Sequence, residues 1–146
     1  MGRTWEAFAP EFRTRSIDGL TLSADGQTIY ANEGGTYFGW VSRGAGATWS
    51  QGLILQVNGP MAVSPADPNL VVFGSPGDVR RSTDGLASMK IVMSDPGTVR
   101  EIVFSQSHPN VVYAETDGYI LYRSDDAGLT WRLLVNGREQ VLNAQP

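Results

Sequence analysis

Apolar and polar positions alternate along most of this chain in short runs, and no window sustains a helical period. The runs are rich in β-branched and aromatic residues, and Gly, Pro, Asn, Asp and Ser punctuate them. This is the signature of short strands joined by tight turns. The pattern predicts strands over residues 17–23, 27–31, 37–42 and 48–55, then 61–64, 70–74, 78–82 and 88–92, then 99–105, 111–115, 119–124 and 130–135. Within each set of four, a turn rich in Asp, Pro, Asn or Gly separates the first two strands, at residues 24–26, 65–69 and 106–110. The fold class is therefore all-β.

The sets are repeats. Ser23, Ser64 and Ser105 are 41 and 41 residues apart, and Ser42, Ser82 and Ser124 are 40 and 42 apart. Two independent landmarks give one period of about 41 residues, which suits a four-stranded unit. A single domain over residues 1–146 is expected, with repeats at about 16–56, 57–97 and 98–137. Residues 4–8 resemble the outermost strand of a further unit. Arg138-Glu139-Gln140-Val141-Leu142 resembles Arg100-Glu101-Ile102-Val103-Phe104, so the tail reads as the first strand of another.

Each repeat carries a version of one turn. Ser124-Asp125-Asp126-Ala127-Gly128-Leu129-Thr130-Trp131 lies between two apolar runs. Ser124 and Asp126 can accept bonds from turn amides, and Gly128 admits a positive φ. The pattern Ser-x-Asp-x-Gly-x-Thr-Trp resembles the Asp-box, the BNR repeat of sialidase-type β-propellers. The first repeat keeps Ser42, Gly46, Thr48 and Trp49 but has Gly44 in place of the Asp. The second keeps Ser82 and Asp84, with Leu86 for the Gly, Ser88 for the Thr and Met89 for the Trp. Gly2-Arg3-Thr4-Trp5 resembles the last half of another copy. Ser64-Pro65-Ala66-Asp67-Pro68-Asn69, followed by an apolar strand and Arg81-Ser82-Thr83-Asp84-Gly85, is similar to the family 74 xyloglucanase and sortilin types.

The resemblance runs from Gly2 to about Val135. It implies a β-propeller of about three four-stranded Asp-box blades plus terminal half-blade strands. Three blades do not readily close a ring, and an open arc exposes two blade faces. The chain is therefore expected to assemble with itself, most simply as a homo-oligomeric dimer whose ring has about six to eight blades. The alternatives are a piece of a longer chain and, ranked last, a compact four-bladed monomer.

Composition narrows the function classes. The net charge is −4 with no basic run, which argues against nucleic acid as a partner. There are no cysteines, excluding disulfides and thiolate metal sites. His108 is the one histidine, matches Asp67 in its repeat and reads as exposed, so no metal or cofactor is expected. No glycine-rich phosphate loop opens a helix, and the Asp-rich turns lack calcium-loop spacing. No stretch reaches the length of a membrane span, and the first residues are not a signal peptide. The start inside a half-repeat suggests a truncated or engineered beginning. The resembled families are often secreted, and the compartment stays unassigned.

The candidate residues fall into two groups. Ser42, Thr48, Trp49, Ser82, Asp84, Ser124, Asp126, Gly128, Thr130 and Trp131 read as structural: carboxylates and hydroxyls satisfying turn amides, with Trp5, Trp49 and Trp131 as core plugs. The resemblance places this turn at the outer rim, away from the central substrate site. Glu33, Tyr37, Trp40, Asp117 and Tyr119 read as ligand-binding. Tyr37, Phe38 and Trp40 form an aromatic group suited to stacking sugar rings, with packing of Trp40 as the alternative.

An inverting glycosidase needs two carboxylates about 6.5–9.5 Å apart, and Glu33, Glu101 and Asp117 are the candidates. A sialidase needs an arginine cluster and a Tyr with a Glu partner. Arg80, Arg81, Arg100, Arg123, Tyr119 and Glu115 supply the types, but the arginines recur at repeat positions and read as strand charges or salt-bridge partners. No catalytic motif is intact, so no residue is assigned as catalytic. The expected function is a non-catalytic module for protein or carbohydrate binding that self-assembles. The alternative is a glycoside hydrolase, xyloglucanase- or sialidase-like, or a fragment of one. A third reading is a self-assembling fragment without a ligand.

Overall fold

The computed structural model describes residues 16–34, 38–54 and 59–137. Among these residues ten strands form two antiparallel sheets. The first contains β1 (Ile17–Leu22), β2 (Ile29–Glu33), β3 (Phe38–Ser42) and β4 (Ser50–Ile54), in that spatial order. The second contains β5 (Met61–Val63), β6 (Val71–Ser82), β7 (Lys90–Phe104), β8 (Val112–Thr116), β9 (Ile120–Ser124) and β10 (Arg132–Asn136), again each beside the next. The all-β class read from the sequence holds. The end strands expected at residues 4–8 and 138–142 lie outside the described residues.

One feature differs from the predicted pattern. Strands expected separately at 70–74 and 78–82 run together as β6, and those at 88–92 and 99–105 run together as β7. The turns between them are too tight to interrupt the ladder. Gly77 at φ 91° lies inside β6, and Asp95 at φ 57° and Gly97 at φ 89° lie inside β7. Pro76 stands opposite Thr98 across these turns, with register slips at Pro76/Asp78 and Val79/Arg80. The second and third repeats therefore share one six-stranded sheet.

Side-chain alternation divides the core. Val71 packs with Val63 and Leu86 against Tyr30 and Val41 of the first sheet. Its neighbour Val72 points the other way, into a cluster with Val79, Ile102, Phe104, Val112, Ala114 and Ala127. Val71 and Val72 are both fully buried, a stabilisation of about 1.5–3 kcal/mol each. The second repeat is thus packed on both faces, by the first repeat on one side and the third on the other.

Candidate binding face and the turns that support it

Ser42, Ser82 and Ser124 end β3, β6 and β9 and are all buried. A strand that stops there leaves turn amides to be satisfied. Ser124 Oγ accepts from the amides of Asp126 (3.3 Å) and Gly128 (2.8 Å) and donates to Asp126 Oδ1 (2.7 Å). Asp126 Oδ1 also accepts from the amides of Leu129 (3.1 Å) and Thr130 (2.8 Å), and Oδ2 accepts from the Thr130 hydroxyl. Trp131 Nε1 closes the turn on the Gly128 carbonyl at 3.1 Å.

The second turn repeats the scheme with Ser88 in place of Thr130: Asp84 accepts from the Ser88 amide and hydroxyl and from Ser82 Oγ. In the first, Ser42 Oγ still accepts from Gly46 N (2.8 Å) and Trp49 Nε1 still donates to Gly46 O (3.1 Å), although residue 44 has no carboxylate. Two consecutive left-handed residues bend each turn: Ala45 and Gly46, Gly85 and Leu86, Ala127 and Gly128.

These bonds set the electrostatics. The Ser88 hydroxyl and amide, with Ser82, lower the Asp84 carboxyl to about 2. For Asp126 desolvation opposes ionisation, but the bonds from Thr130, Ser124 and Leu129 outweigh it and again lower the carboxyl to about 2. Both groups are acceptors saturated by their own turns, which fits them to hold backbone rather than to move protons.

The residues singled out for ligand binding lie in two groups. Glu33 is 1% exposed at the end of β2, and its Oε2 accepts from Trp40 Nε1 at 2.8 Å. A side chain on Gly34 would collide with Ser16 and the Asp18 carboxylate. The second group is on the six-stranded sheet, in the turn from β8 to β9. Asp117 Oδ1 accepts from Thr98 N at 2.9 Å, while Asp117 N donates to Thr98 O at 2.9 Å. A Cβ on Gly97 would collide with that carboxylate. Tyr119, at φ 61°, is 80% exposed, and its carbonyl accepts from Gly137 N. Tyr37 lies outside the described residues.

A third group at the β6 turn escaped sequence reasoning. Ser75 Oγ donates to Asp78 Oδ1, and Arg80 grips Asp78 through Nε (3.0 Å) and a terminal nitrogen (2.9 Å). Burial works against ionisation of Asp78, yet the Arg80 and Ser75 bonds hold it below its ordinary value. Its signal was available. Ser-Pro-Gly-Asp is a turn signature, and an Asp two residues before an Arg shares its strand face. Among the described residues, no three His, Cys, Asp or Glu side chains converge as metal ligands do.

The arginines do more than carry strand charge. Arg81 Nε donates to the Ala127 carbonyl of the third repeat at 2.9 Å. Arg43 reaches Asn69 Oδ1 at 2.9 Å, and the Tyr30 hydroxyl donates to the Pro68 carbonyl at 2.6 Å, both joining the first repeat to the second. Arg123 stays within its own repeat, bonded to Asp125 and to the Tyr113 hydroxyl.

Solved structures with this fold are known, although no protein-family model and no curated protein matches the chain in sequence. A GH74 enzyme of Niastella koreensis superposes with a TM-score of 0.68 at 16% identity, over 84% of this chain and 23% of that one. The GH74 xyloglucanase from Xanthomonas campestris gives 0.67 at 22% identity, over 89% and 24%. YCF48 bound to D1 peptide gives 0.62 at 22% identity, over 82% and 41%. The chain thus spans less than half the length of each. Over most of its residues this protein has the fold of part of an Asp-box β-propeller, shared with GH74 enzymes and YCF48.

Proposed function

We propose that this chain is a non-catalytic arc of Asp-box blades, three four-stranded units that assemble with further copies and bind a protein or glycan at the turn Asp117-Gly118-Tyr119. The observation that carries the reading is the contrast within that turn. Asp117 is engaged in fixing the backbone at Thr98, while the Tyr119 ring is 80% exposed beside it. An exposed aromatic side chain on a backbone pinned by hydrogen bonds is a binding anchor of low entropic cost. Glu33, the other carboxylate expected to bind a ligand, is buried against Trp40. One of the similar structures is YCF48 bound to D1 peptide, which supports a peptide segment as one class of ligand. The test is a peptide and glycan array probed with the wild type and with Tyr119→Ala. Ligands retained by the wild type and lost by the variant support the reading, and identical profiles overturn it.

The second reading is a piece of a glycoside hydrolase. Glu101 stands directly opposite Glu115 in the β7–β8 ladder, and both are exposed. Facing residues on antiparallel strands lie about 4.5–5.5 Å apart at Cβ, which lets their carboxyl groups reach the roughly 5–5.5 Å of a retaining pair. Release of reducing sugar from xyloglucan, abolished by Glu101→Gln, would establish this reading and displace the first.

A further inference from the structure

We infer that the face of the third repeat left uncovered among the described residues is a seat for the first turn of a second copy of this chain, joined head to tail. The inference rests on the assembly half of the reading above and gives it an address. Each repeat offers its successor one surface, centred on the residue just before the turn serine: Val41, Arg81 and Arg123. In the first two repeats that surface is occupied. Leu86 of the second turn is buried with Tyr30 and Val41, and a Cβ on its neighbour Gly85 would collide with Arg43. The third turn sits on the second repeat in the same way. Ala127 O accepts from Arg81 Nε, and Gly128 lies close enough to Val72 that a Cβ would be 2.8 Å from it.

The third repeat presents the same surface with nothing on it among the described residues. Arg123 stands opposite Tyr113, which stands opposite Val103. Val112 and Ala114 are fully buried on the other side of the sheet, so this row faces away from the second repeat. Val103 is 47% exposed. At the rim lies a cavity of about 200 Å³ lined by Arg123, Asp125, Thr130, Trp131 and Arg132. Its counterpart one repeat earlier is a cavity of about 160 Å³ lined by Arg81, Thr83, Ser88 and Lys90, and there Leu129 of the following turn forms one wall. Among the described residues the third-repeat cavity has no such wall.

The first turn supplies the matching half. At the third position after the turn serine, Gly85 and Ala127 are buried, whereas Ala45 is exposed. All three make the same amide bond inside their own repeat, to Gln27, Asn69 and Asn110 carbonyls respectively. The difference is therefore the absence of a preceding repeat among the described residues. Ala45 O is the acceptor that a terminal nitrogen of Arg123 would reach, its Nε being held by Asp125, where Arg81 reaches Ala127 O through Nε. Ala47 occupies the place of Leu129. The inner end of the seat departs from the pattern, since Glu101 and Glu115 replace Pro60 and Gly74, so the contact is confined to the outer end. A head-to-tail contact of this kind propagates to a closed ring or to an open filament.

The test is sedimentation velocity of the full 146-residue chain across a range of concentrations, with two variants on opposite halves of the contact. Mass should rise in whole multiples of the chain. Arg123→Glu should raise the dissociation constant about tenfold or more, since it replaces the donor with a carboxylate that repels the acceptor carbonyl. Ala47→Leu, which builds the wall that Leu129 provides, should lower it about tenfold. Near-ultraviolet circular dichroism should be unchanged in both variants. The Ala47→Leu gain stands on its own should Arg123→Glu disturb its repeat. A wild type that stays monomeric throughout overturns both the assembly and its seat. Assembly indifferent to both variants overturns the seat alone.

Discussion

Leu86 and Gly128 hold the same backbone position in successive turns, at φ 68° and φ 83°, and Leu86 is fully buried there. A left-handed conformation costs a non-glycine residue roughly 1–2 kcal/mol. The chain bears that strain because the Leu86 side chain plugs the space between Tyr30, Val41, Val63 and Val71. Leu86→Ala should destabilise by about 2–5 kcal/mol. Leu86→Gly removes one carbon more but releases the strain, so it should prove more stable than Leu86→Ala, reversing the usual order of the two residues. Urea unfolding of the three proteins decides the ranking.

Acid should act through the turns. Asp84 and Asp126 have carboxyls lowered in the folded chain from the ordinary 3.8 to about 2. A depressed folded value means that their stabilisation is complete above the unfolded value and is lost as pH falls through the folded one. Thermal midpoints should therefore decline from near pH 4 down to pH 2 on account of these groups. In the double variant Asp84→Asn, Asp126→Asn that part of the decline should disappear, leaving a lower but flatter curve.

Gly44 provides the complementary test. Its amide already donates to Ser42 Oγ, and a Cβ there meets nothing within 4 Å. Gly44→Asp would place a carboxylate where Asp84 and Asp126 stand in the other turns, within reach of Ser42 and Thr48. The gain should be about 0.5–1.5 kcal/mol, and calorimetry should show a rise of a few degrees. No change would mean that a carboxylate adds nothing to the bonds Ser42 already makes there.

Asp117 should matter locally. Its carboxylate accepts from the Thr98 amide, and its own amide donates to the Thr98 carbonyl. Asp117→Ala should speed hydrogen exchange at Thr98 about tenfold or more, the loss of one bond of about 1.5 kcal/mol. Exchange at Val112 and Ala114, buried in the core, should stay slow.

Much of this architecture was legible because each repeat writes the same instructions. The turn serines marked strand ends, and the common spacing of Ser23, Ser64 and Ser105 marked the repeats. The joining of the second and third repeats into one sheet was hidden, because Gly77 and Gly97 read as breaks although their turns are tight enough to keep the ladder paired. The site was less legible. Glu33 read as a loop carboxylate, and only the fold shows it buried against Trp40. Arg81 read as a solvated strand charge, since a bond to a carbonyl 46 residues away leaves no local trace.

The two seams between repeats are built from different shapes. The first needs the bulk of Leu86 to fill the gap beside Tyr30, and the second needs the bareness of Gly128 to clear Val72. Neither turn fits the other's place: a leucine at the second seam would strike Val72, and a glycine at the first would leave a hole. The chain therefore carries its own order as a lock carries its key. Units that look interchangeable in outline are individually addressed, each turn shaped for the one seam it fills.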